Sequence, residues 1–228
     1  MKIDSLTLHT FDKHLLRDYV SNLQKLITLY LRYIKESWFV LKILLKGAVI
    51  GGVIVHLWYT VSYMVLPWHQ WTYLHFESEE RVKNVLEENA LESGIYILPN
   101  YRPDKALSKA KNKREQAKVM KAMQDGPFVF ASFKRDGTRS MGRSTLFSVL
   151  SYVLAAGVMT WLVMRSKLTS FIGKVSFVKA VAFFAFVVGI LPNWIWWEFS
   201  LSFILVGFLD VMIAWSLAAF ALAKITEG

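Results

Sequence analysis

The 228-residue sequence contains no cysteine, so neither a disulfide nor a thiolate-bound metal can stabilise any part of it. It also lacks a GxxxxGK(S/T) loop for a nucleotide, an HExxH pair for zinc and a GxSxG elbow for a serine nucleophile. No base-reading or stacking motif accompanies its basic residues, so nucleic acid is not an expected partner. Internal repeats and low-complexity linkers are missing too. The first apolar run begins only after 46 residues and is not closed by a small-x-small site, so no cleavable leader is expected and that run should stay as an anchor. These absences leave the chain without a recognisable catalytic or cofactor-binding signature; no cofactor and no metal site are expected, and the chain is not expected to be an enzyme.

What the sequence has instead is long apolar runs. Gly47–Leu66, Ser144–Met164, Val175–Leu191 and Phe199–Ala223 are each about long enough to cross a bilayer, which takes roughly 17–25 helical residues. Hydrophobic residues make up 54% of the chain, and its mean hydropathy of +0.36 is high for a soluble domain. The expected architecture is an all-α membrane protein of four transmembrane helices. A small α+β extracytoplasmic cap lies between the first and second, and an amphipathic helix precedes the first. In chain order this gives a cytoplasmic segment 1–46, a first span 47–66, a cap 67–143, spans 144–164, 175–191 and 199–223, and a cytoplasmic tail 224–228.

Charge sets the expected orientation. Residues 1–46 hold eight Lys/Arg against four acids, and Arg165, Lys167, Lys174 and Lys179 follow the second span with no acid among them. The turn Pro192–Glu198 has no Lys or Arg. Short Lys/Arg-rich loops stay cytoplasmic, so both termini should be cytoplasmic and the cap outside. The cap carries 14 basic and 10 acidic residues, but segments longer than about 60 residues cross largely regardless of charge. Trp68, Trp71, Trp194, Trp196 and Trp197 then fall at one membrane-water boundary as an aromatic belt, and Lys42 and Lys46 can snorkel to headgroups at the other.

Leu16, Tyr19, Val20, Leu23, Leu26, Ile27, Tyr30 and Ile34 recur at helical spacing before the first span, predicting an amphipathic helix from about Asp12. It could lie on the inner surface, run straight into the span, or pack on a partner. In the cap, Ser78–Glu92 and Asp104–Gln124 read as helices, and Gly94–Pro99 and Phe128–Phe133 as strands, the second ending at the Asp136-Gly137 turn. Pro67 disfavours helix at Leu66 and so marks the outer end of the first span.

Asp210, near the middle of the fourth span, is the sharpest candidate for chemistry, because a carboxylate there costs about 2.5–3.5 kcal/mol and needs a partner. Depth counting pairs it with His56 of the first span. The pair would serve as an interhelical clasp or as a proton relay. Gly47 and Gly51 form a GxxxG pattern, with Ala214 and Ala218 as a matching small face on the fourth span. His69 and His75 fit no defensible metal spacing and read as headgroup-level histidines. The basic stretch Arg102–Lys121 reads as a solvated face.

The blocks Met64-Val-Leu-Pro-Trp-His69, Gly94-Ile-Tyr-Ile-Leu-Pro99, Gly126-Pro-Phe-Val-Phe130, Ser140-Met-Gly142 and Leu191-Pro-Asn-Trp-Ile-Trp-Trp-Glu-Phe199, followed by Asp210, resemble a family of short bacterial inner-membrane proteins with no assigned activity. The resemblance spans about residues 47–225 and implies a multi-pass protein of the bacterial inner membrane. The functional expectation is a non-catalytic accessory or scaffold subunit of a larger membrane assembly. Its partners would be membrane lipid and other membrane-protein subunits, or a second copy of the chain as a homo-oligomer. A small proton-coupled transporter or channel using His56 and Asp210 is the alternative, and an outward-facing metal or redox carrier a second.

Overall fold

A computed structural model describes residues 11–227 of the chain. Seven α-helices and one two-stranded sheet are found among them: α1 Phe11–Met64, α2 Glu79–Asn89, β1 Gly94–Leu98, α3 Lys109–Asp125, β2 Val129–Phe133, α4 Met141–Arg165, α5 Phe171–Gly189, α6 Leu191–Trp197 and α7 Leu201–Ile225. Four helices are long and apolar enough to cross a membrane: α1, α4, the stretch containing α5, and α7. The protein is multi-pass on this ground.

The amphipathic segment and the first span form one helix. α1 runs 54 residues without a break, about 81 Å at 1.5 Å per residue. No proline interrupts it, and its glycines fall where a neighbouring helix needs room. It ends as Pro67 requires: the N–H groups of Val65 and Leu66 both reach the Val61 carbonyl, at 2.9 and 3.1 Å, and helical bonding stops there.

The chain divides into two compact units. The first comprises α1 through Tyr59, Val149–Ala182 of α4 and α5, and α7 from Met212 onward. Its core has two clusters. In one, Met159, Val163, Val178, Ala219 and Leu222 bury one another; in the other, Val55 packs on Ala214 and Ala218. The glycines of α1 face α4. A Cβ on Gly47 would overlap the Thr160 side chain, one on Gly51 would meet Ala156 and Leu222, and one on Gly52 would lie 2.6 Å from the Val153 Cα. The small face of α1 thus admits α4, while Val55, one turn further on, is the residue that meets Ala214 and Ala218. Lys174 is buried at the start of α5, where its Nζ donates to the Thr226 carbonyl at 2.8 Å and satisfies one of the orphan acceptors ending α7.

From Ser21 to Lys42 every side chain of α1 except Ile34 is exposed, Lys42 included, and Lys46 is exposed as well. That exposed length carries Leu23, Leu26, Ile27, Leu29, Tyr30, Leu31, Tyr33, Trp38 and Phe39.

The second unit comprises Thr60–Ser148 and Phe183–Val211. β1 and β2 pair antiparallel, Gly94 opposite Phe133 and Leu98 opposite Val129. α2 opens with Glu79 and Glu80, acids that suit a helix N-terminus. The Arg135 guanidinium donates to the Glu87 and Ala90 carbonyls and so closes its other end against the strand β2. α3 begins later than its pattern suggests. The Asp104 carboxylate turns back to accept from the Ala106 N–H, and the Asn112 side chain bonds both the Asp104 N–H and carbonyl, so residues 104–108 form a side-chain-held turn. Ser108 then caps the helix. Gly126, at φ 74°, stops it in a conformation other residues avoid. α6 opens with Pro192, whose missing N–H costs nothing at a helix start. Phe130 of β2 stacks on Trp197 of α6 with ring centroids 4.4 Å apart.

Candidate functional site

The candidate site lies in the second unit, where α1 ends and the chain reverses. Pro67 ends the helix, and the next residues wind into a single tight turn: the Pro67 carbonyl accepts from the Trp71 N–H at 3.2 Å, and the His69 carbonyl accepts from the Thr72 N–H at 3.0 Å and its hydroxyl at 2.7 Å. This turn sends the His69 side chain back against Ser62, seven residues earlier and in the last turn of α1. α7 supplies the third member, Asp210.

The three polar side chains are all buried, with 0% of Ser62, 2% of Asp210 and 5% of His69 exposed. The Asp210 carboxylate uses both oxygens: Oδ2 lies 2.8 Å from His69 Nε2, and Oδ1 accepts a short bond from the Ser62 hydroxyl. Ser62 Oγ in turn accepts from the Trp68 indole N–H at 2.9 Å and lies 3.0 Å from His69 Nε2. The Tyr63 ring stacks on the imidazole at 3.7 Å and 15°, and Trp68 meets it edge-on at 6.3 Å. The buried Asp210 carboxylate is therefore met by the Ser62 and His69 donors, and those donors are held by aromatic walls.

A carboxylate at Asp210 offers Nε2 only acceptor lone pairs, so the histidine carries its hydrogen on Nε2. Trp68 donates into the Ser62 oxygen, which orients the hydroxyl hydrogen toward Asp210. His69 Nδ1 is left buried and without a hydrogen-bond partner among the described residues. This is not the layout of a nucleophilic serine. In a Ser-His-Asp hydrolase the serine and aspartate occupy opposite ring nitrogens, so that one can pull while the other holds. Here both crowd the same nitrogen, and the hydroxyl proton is already committed to the carboxylate.

Among the residues expected to matter, Asp210 is at the site and its histidine is His69. His56 belongs to the first unit, half-buried, with its ring 6.3 Å from that of Tyr152, which stacks on Tyr59 at 5.2 Å. Trp68 is half-buried and bonded to Ser62, Trp197 stacks on Phe130, and Trp71, Trp194 and Trp196 are exposed. His75 is exposed, and no group of three or more His, Cys, Asp or Glu side chains able to hold a metal occurs among the described residues. Ser62 and the inward turn of His69 escaped the sequence reading; the one signal available was a proline five residues after a serine that sits inside an apolar helix.

No family model, curated protein or solved structure matches the chain.

Proposed function

We propose that the protein is a non-catalytic accessory subunit of a larger bacterial inner-membrane assembly, and that the exposed length of α1 is the surface on which a partner subunit docks. The observation that carries this reading is the exposure of Ser21–Lys42 in an unbroken helix that goes on into a span. A helix lying flat on headgroups needs a break before it enters the bilayer, and α1 has none. Lipid is a poor cover for the same stretch, because it carries Lys25, Arg32, Lys35 and Glu36. A partner helix in an amphipathic groove contact would cover the apolar face and leave those charges at its rim.

The Lys/Arg distribution supports both termini being cytoplasmic, with residues 67–143 on the opposite side as a cap. The test uses a photo-crosslinking residue at Leu26 or Tyr30 in native membranes. Adducts with a second polypeptide are expected, and they should vanish when Leu23 and Ile27 are both changed to Asp. Adducts to lipid alone would overturn the reading.

A further inference from the structure

Beyond any docking role, we propose that Ser62, His69 and Asp210 form a proton-binding site in which a proton enters at His69 Nδ1 and is held on Asp210. The ring nitrogen that faces Asp210 is already engaged at 2.8 Å, while the opposite nitrogen is buried and has no partner among the described residues. An imidazole in that position has one free basic site and one committed acid site. A proton from water that binds Nδ1 gives an imidazolium. Its Nε2–H then passes to Asp210 Oδ2, which becomes a neutral carboxylic acid and donates back to Nε2. The net change is one proton taken from water and one carboxylate neutralised, with the ring returned to its neutral form in the other tautomer. The reverse sequence releases the proton by the same path.

The surroundings suit that exchange. The entry side is the turn after Pro67, where Gln70 and Trp71 are exposed next to the buried histidine. Ser62 donates to Oδ1 throughout, so that Oδ2 is the oxygen left to take the proton. Among the described residues, the titratable groups seen on the cluster include Asp210 from α7 and the Tyr63 phenol from α1, whose ring stacks on His69; Trp68 contributes a donor. A clasp alone would be as well made by Asn or Gln, which keep hydrogen bonds but cannot pass a proton along.

The experiment is infrared difference spectroscopy of the full-length protein in lipid nanodiscs, stepped across about pH 4 to 9. The wild type is expected to gain one buried carboxylic-acid carbonyl band on acidification, and Asp210→Asn to lack it. After a rapid pH drop, His69→Gln should still develop the band, but roughly a hundredfold more slowly, because glutamine keeps the contact and removes the second nitrogen. If Asp210→Asn does not fold, wild-type protein labelled with carbon-13 in its aspartate carboxyls shows whether the band belongs to aspartate. Absence of any such band overturns the proposal, and so does an unchanged rate in His69→Gln.

Discussion

His69 Nε2 and Asp210 Oδ2 lie 2.8 Å apart across 141 residues of sequence, both of them buried. The bond ties the turn after α1 to the first half of α7 within one compact unit, so breaking it from either side should have the same consequence.

A double-mutant cycle with His69→Ala and Asp210→Ala, read as melting in mild detergent, should show a coupling of about 1 kcal/mol, within the range up to about 1.7 seen for interhelical polar bonds in membranes. Asp210→Asn keeps an acceptor for Ser62 and should be the milder change. Additive losses for the His69 and Asp210 pair would contradict the geometry described above.

Gly52→Ala should destabilise the protein by about 1–3 kcal/mol, since the new Cβ would press on the backbone of Val153 and a backbone cannot rotate out of the way. Gly142→Ala, with nothing within 4 Å of its Cβ position, should be neutral or slightly stabilising. The two melting temperatures, compared side by side, check the approach of α1 to α4; equal effects would place the close contact elsewhere.

Lys174→Met should lower stability by about 1.5–3 kcal/mol, the cost of losing a hydrogen bond given by a charged donor. The Thr226 carbonyl would lose the bond that Lys174 now gives it. Faster carboxypeptidase trimming of the chain end should accompany the loss, whereas an unchanged melting point would show the bond to be dispensable.

The absence of native cysteine makes Lys111→Cys the sole thiol of the molecule. In spheroplasts it should react with a membrane-impermeant maleimide without lysis, as the proposed orientation requires. Labelling only after lysis would place the cap on the cytoplasmic side.

The four long apolar helices were legible in the sequence because predominantly apolar stretches of about 17–25 residues have few other uses. The unity of α1 was legible only as one of three alternatives, beside a helix on the membrane surface and one packed on a partner. Lys42 and Lys46 read as headgroup anchors that end a span, and the contacts with α4, with Leu222 of α7 added at Gly51, explain why glycine persists inside a helix at 47, 51 and 52. Asp210 stood out as a lone carboxylate in an apolar run. Its partner did not, because depth counting ranks residues along a straight span, whereas His69 reaches its level by a reversal after Pro67 that no periodicity encodes. The start of α3 was misplaced for a local reason: Asp104 resembles a helix N-cap, but its carboxylate and the Asn112 amide hold a turn instead.

No residue of α3 is buried, and Lys109, Lys111, Lys113, Arg114, Lys118 and Lys121 all point into solvent. Replacing these six cations by neutral residues would take the formal charge from +10 to +4 without touching a packed side chain. The helix therefore acts as an electrostatic dial: the long-range field of the molecule, screened over about 10 Å at 0.1 M salt, can be retuned by sequence there while the architecture stays as it is.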